Sequence, residues 1–128
     1  FHAAHMPYFY GIDVSYNRFE SFPFEPFDCS SLTMFAIRGQ RNVKGERCLK
    51  EWPVGVYNHT GLRALYMGSN DLGKIDDTIS YLIYYLDISD NPNIVFDASE
   101  VCYNWMNGTY FLLYDKTQDI RGCDAMLN

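Results

Sequence analysis

Close cysteine pairs, glycine-rich phosphate loops, long apolar runs and dense basic stretches are all missing from this 128-residue chain. Each absence removes a class of function. Without Cys-x-x-Cys there is neither the ligand spacing of a small zinc site nor a redox-active dithiol. Without a phosphate loop of either standard form there is no nucleotide cradle. No stretch reaches the ~18 apolar residues of a membrane-spanning helix. The ten basic residues are scattered and the formal net charge is −6, so a nucleic acid backbone is repelled. The opening Phe1-His2-Ala3-Ala4-His5-Met6 lacks the basic head and apolar stretch of a signal peptide, and reads as a mature N-terminus.

What is present suggests a globular β protein. Hydrophobic residues make up 48% of the chain and charged ones 20%, which excludes disorder. Aromatics reach 17%, with 11 Tyr and 9 Phe, side chains that favour pleated, half-buried surfaces and also dominate binding interfaces. The length suits one domain over residues 1–128. Its first part, to about residue 30, reads as an irregular arm, since the prolines in Phe22-Pro23-Phe24-Glu25-Pro26-Phe27 remove ladder donors.

Four widely spaced cysteines, Cys29, Cys48, Cys102 and Cys123, predict structural disulfides, with all three pairings open. Asn58-His59-Thr60 and Asn107-Gly108-Thr109 are N-glycosylation acceptors, which with the cysteines indicate a secreted, extracellular protein.

The apolar period is mostly two, so strands are expected over Leu32–Arg38, Leu62–Met67, Thr78–Leu86, Ile94–Phe96 and Thr109–Tyr114. Asn107-Gly108 predicts a tight hairpin between Val101–Met106 and the last of these. Strands about ten residues apart, separated by turn residues and without an internal repeat, predict an antiparallel β-barrel or sandwich.

Candidate chemistry is sparse. His2 and His5 have no third ligand nearby in sequence, and the carboxylates Asp76, Asp77, Asp87 and Asp90 lack the regular oxygen spacing of a calcium loop, so no metal is expected. Ser30-Ser31 lacks a nucleophile turn. No cofactor is implied. In a cavity, Tyr66, Tyr81, Tyr85, Trp105 and Tyr110 would contact a ligand, because Tyr and Trp stack on flat molecules and still offer a hydrogen-bonding group. Asp77 or Asp87 would face a cationic amine.

Two resemblances extend this reading. Tyr10-Gly11-Ile12-Asp13-Val14-Ser15 resembles the first strand of (β/α)-barrel muramidases, and Met34–Arg38 is similar to their second; the implied alternative is a glycoside hydrolase using Asp13. At the family's later Asp-x-Glu pair, however, Asp87-Ile88-Ser89-Asp90 carries Ser89 in the glutamate position, removing the acid that chemistry needs. Over about half of the chain, the strand at Leu32, Cys48-Leu49-Lys50, the Leu62–Met67 strand and Asn93–Cys102 are similar to the salivary lipocalins of ticks. That resemblance implies a lipocalin-like barrel without catalysis. It would sequester a small amine or lipid mediator, or block a host protein such as a complement component, in immune evasion.

Overall fold

The computed structural model describes residues 10–21, 32–52, 61–75, 83–97, 111–115 and 117–121. Eight short strands run through them: β1 Gly11–Asp13, β2 Met34–Ala36, β3 Ala64–Tyr66, β4 Lys74–Ile75, β5 Tyr85–Asp87, β6 Val95–Asp97, β7 Phe111–Leu113 and β8 Asp119–Arg121. They form two sheets, one of order β1-β2-β3-β5-β7 and one of order β4-β6-β8. Every pairing between these strands is parallel.

The register explains why. Ile12, Phe35, Leu65, Leu86 and Leu112 pair in one continuous row across the larger sheet. Around the first four recurs one pattern: Leu62-x-x-Leu65-x-Met67-x-x-Asn70-x-Leu72, Ile83-x-x-Leu86-x-Ile88-x-x-Asn91, Leu32-x-x-Phe35-x-Ile37-x-x-Gln40 and Ile12-x-Val14-x-x-Asn17. Leu32, Phe35, Ile37, Leu62, Leu65, Met67, Leu72, Ile88 and Ile94 are all but completely buried, and they share one core. No single turn of chain can cover its own apolar edge, so each rung buries it against the next; the result is a solenoid.

From the second rung on, each rung turns away from the larger sheet through a buried side-chain amide. Asn70 Nδ2 donates to Ile37 O at 2.9 Å, Met67 O at 3.0 Å and Gly68 O at 3.3 Å, while its Oδ1 accepts from Gln40 N at 2.9 Å. Asn91 does the same one rung on, donating to Met67 O, Ile88 O and Ser89 O and accepting from Leu72 N. Gln40 substitutes in the second rung, its Nε2 donating to Val14 O and Arg38 O and its Oε1 accepting from Phe19 N. In the last rung the turn is one residue longer, and Gln118 reaches back to Ile88 O and Asn91 O.

The residue before the amide is left-handed in four successive rungs: Tyr16 at φ 61°, Gly39 at 62°, Ser69 at 61° and Asp90 at 53°. For a non-glycine residue this conformation costs about 1–2 kcal/mol. Two arginines from the turn after β2 hold two of these positions. Arg41 donates to the Ser69 carbonyl and hydroxyl, and Arg47 donates to Asn70 O and Asp90 O and pairs with the Asp90 carboxylate at 2.7 Å. The hydrogen bond from Arg47 holds the Asp90 carboxyl below its ordinary 3.8; burial opposes this, and Ser69 and the charges of Arg47 and Arg41 add to it.

These observations correct the expected architecture. The sheets are parallel and open, neither an antiparallel barrel nor a sandwich, and the repeat that the sequence did not reveal is the organising unit. The ten-residue spacing is real between Ala64 and Lys74 and between Tyr85 and Val95, but those consecutive strands lie in different sheets. β7 pairs in parallel with β5; Val101–Met106, the other arm of the expected hairpin, lies outside the described residues. The expected hairpin turn at Asn107-Gly108 lies outside the described residues, as do positions 78–82 of the expected long strand. Cys48 is a free thiol, not a disulfide partner; its Sγ donates to Phe19 O at 3.3 Å. Rung stacking, with its amides, does the cross-linking expected of a disulfide. Cys29, Cys102, Cys123 and the sequons at Asn58 and Asn107 lie outside the described residues.

Two predictions follow from the turns. Asn70→Ala leaves the Ile37 and Met67 carbonyls and the Gln40 N–H without their amide partner, and is expected to cost about 3 kcal/mol in urea unfolding; a loss under about 1 kcal/mol would show the amide to be dispensable. Because the folded Asp90 carboxyl lies below 3.8, its stabilising contribution is present above that pH and is lost as pH falls through the lowered folded value. Urea midpoints of Asp90→Asn, measured through the acid range, should therefore fall less steeply than those of the wild type.

Candidate functional site

The alternation that sends Phe35, Leu65 and Leu86 inward turns their neighbours outward, onto the open face of the five-stranded sheet. Two rows result. In one, Tyr85 pairs with Phe111; in the other, Asp13, Ala36, Tyr66, Asp87 and Leu113 follow one another across the strands. Tyr85 is 51% exposed, Phe111 65% and Leu113 58%. The Tyr85 and Phe111 rings stack, with centroids 5.7 Å apart and planes at 16°. Tyr66, Tyr85, Leu86, Asp87, Phe111 and Leu113 line an open depression of about 180 Å³ whose surface is apolar.

A polar cluster adjoins it. Arg38 crosses from the end of β2, its guanidinium 4.3 Å from the Tyr66 ring centroid and its Nε donating to Asp87 Oδ2 at 3.0 Å. The other carboxylate oxygen, Oδ1, accepts from the Ser89 N–H at 3.0 Å and hydroxyl at 2.7 Å. Gly68 makes this arrangement fit: a Cβ there would lie 2.9 Å from Asp87 Oδ2. At the first rung, Asp13 accepts from Ser15 N at 3.0 Å; that bond, the Ser15 hydroxyl and Arg38 lower the Asp13 carboxyl below 3.8 despite some desolvation.

Of the five aromatic residues expected to contact a ligand, Tyr66 and Tyr85 come together on this face; Tyr81, Trp105 and Tyr110 lie outside the described residues. Asp87 is committed to Arg38 and Ser89 and Asp90 to Arg47, so neither is a free carboxylate for calcium or for a cationic amine. Asp77 and the pair His2 and His5 lie outside the described residues, among which no group of three His, Cys, Asp or Glu could hold a metal. Asp13 has the lowered pKa of a stable carboxylate, the reverse of what a glycosidic general acid needs. Sequence reasoning missed Arg38, Phe111 and Leu113. Their outward position could be read only by aligning the rungs.

Among the described residues no helix is long and apolar enough to cross a membrane. No family model matches the chain, and no curated protein does. Solved structures do. A leucine-rich repeat protein from Bacteroides thetaiotaomicron VPI-5482 is similar at 51% identity and a TM-score of 0.88, over 94% of this chain and 14% of that protein. One from Bacteroides eggerthii DSM 20697 is similar at 51% identity and a TM-score of 0.89, over 96% of this chain and 20% of that protein. The chain thus spans only a small part of either.

This likeness, with the parallel rungs, overturns the lipocalin and muramidase resemblances and the functions they implied, sequestering a mediator or complement blockade in the one case and glycoside hydrolysis in the other. Stacked from rungs of one apolar-and-amide pattern, this chain is a parallel solenoid that is similar over nearly its whole length to parts of two leucine-rich repeat proteins.

Proposed function

We propose that this chain is a non-catalytic protein-binding module and that the open face of its five-stranded sheet is the recognition surface. Leucine-rich repeat proteins are typically binding modules rather than enzymes, and their strands line the inner side of a horseshoe on which partners sit. The observation that carries the reading is the contiguous group of Tyr85, Phe111 and Leu113, each more than half exposed, beside the ring of Tyr66. Large apolar side chains exposed together on a rigid sheet mark an interaction site, and aromatic ones contribute most of the energy at such sites.

Tyr66 and Tyr85 keep the ligand-contacting role expected for them, now toward a protein segment on an open surface. The depression, about 180 Å³ and open to solvent, is smaller than the roughly 300–1,000 Å³ of a typical small-molecule pocket, which favours a side chain presented by a larger partner.

Selection of a displayed peptide library on the full chain tests this. Binders are expected, and the double variant Tyr85→Ala/Phe111→Ala should hold them at least ~tenfold more weakly while its circular dichroism and urea midpoint stay near those of the wild type. Equal affinity in that folded variant would place recognition elsewhere.

A further inference from the structure

Resting on that reading, the donors left over on Arg38 identify what the partner presents. A guanidinium has five N–H donors, and among the described residues Arg38 uses one of them, at Nε, on Asp87. The acceptor side of that pair is more fully used: Asp87 Oδ1 takes two hydrogen bonds from Ser89 and Oδ2 takes the one from Arg38. The unused capacity of the cluster is therefore the planar fork of Arg38 Nη1 and Nη2. Its side chain is 33% exposed. It is also held in place, by Asp87 on one side and by the Tyr66 ring beneath it, which limits the ordering cost of binding.

Tyr66 joins this fork to the apolar depression, since it carries the guanidinium and also lines the depression. The volume of about 180 Å³ is comparable to the ~150 Å³ cavity that accepts a benzene ring, enough for one aliphatic or aromatic side chain. Beyond Arg38 the same sheet face continues through Ala64, Met34 and Gly11, so the sheet runs on past the site rather than ending at it.

We propose that Arg38 and the depression beside it form a two-part site for an extended segment of a partner protein, in which an aspartate or glutamate side chain lies one or two residues from a leucine- or phenylalanine-like side chain. The carboxylate takes the two Nη groups in a bidentate pair, and the apolar side chain packs on Tyr85, Phe111 and Leu113. With a net charge of −6 the chain as a whole does not draw an acidic segment toward it. Affinity must come from the fork and the apolar contact at short range.

Fluorescence anisotropy with labelled, terminally blocked hexapeptides carrying Leu-Ser-Glu, Leu-Ser-Gln or Ala-Ser-Glu tests this on the full chain. The Leu-Ser-Glu peptide should bind at least ~tenfold more tightly than either of the others, as charge-assisted bidentate pairs and apolar anchors each contribute. Arg38→Lys should bind the Glu and Gln peptides with nearly equal affinity. Because the Glu-to-Gln change is made in the peptide, the comparison holds even if a protein variant unfolds. Equal binding of Glu and Gln peptides by the wild type, or no binding of any, overturns the carboxylate site. The broader surface then stands or falls by the library selection. An Ala-Ser-Glu peptide with a free C-terminus binding better than the blocked Leu-Ser-Glu peptide would overturn it in favour of a terminal carboxylate.

Discussion

The rest of the structure depends on the buried side-chain amides at the turns of the second to fifth rungs. As the chain leaves the larger sheet it turns backbone carbonyls inward, where water cannot reach them and an unpaired group costs about 1–3 kcal/mol. Asn70 and Asn91 supply two donors and an acceptor from a fully buried position, and their donors span two rungs: Asn70 closes carbonyls at Met67 and Gly68 in its own turn and at Ile37 in the turn before. The amide is thus both a local cap and a tie between neighbours. Gln40 and Gln118 show that the requirement is for the amide itself. The longer side chain of Gln118 compensates where the turn is longer by one residue.

Once the amide is placed, much else is determined. It sets the left-handed residue before it and the buried strand residue five positions earlier, and therefore which side chains alternate outward. Tyr66 and Asp87 face out side by side because Leu65 and Leu86 face in side by side. The Arg38–Asp87 pair, linking the second rung to the fourth across Tyr66 and Gly68, exists because the register holds across both intervening pairings. A slip of one residue in the third rung would bury Tyr66 and expose Leu65. The open face of the sheet and the core are two faces of one constraint.

Some of this was legible in the chain before its fold was known. The alternating segments at Leu32–Arg38, Leu62–Met67 and Ile94–Phe96 do contain strands, and Tyr66 and Tyr85 were marked for their chemistry. The pairing was not legible, since alternation has the same period in parallel and antiparallel sheets. The repeat was hidden because its positions tolerate Ile, Phe, Leu and Met in the strand and Asn or Gln in the turn, and because successive rungs differ in length. Arg38 could not be singled out, for its partners Tyr66 and Asp87 lie far along the chain.

The sequence by itself determined the strand-forming segments around Phe35, Leu65, Leu86, Phe96 and Leu112, because local alternation and turn chemistry act within a few residues; β4 and β8 were not among them. It also determined that no phosphate loop and no long basic run is present. Only the tertiary structure decided that the strands stack in parallel, that Cys48 stays a free thiol, and that Arg38, Asp87 and Tyr66 meet beside an apolar depression. Those outcomes depend on how each rung buries its edge against the next, an energy that no single segment contains.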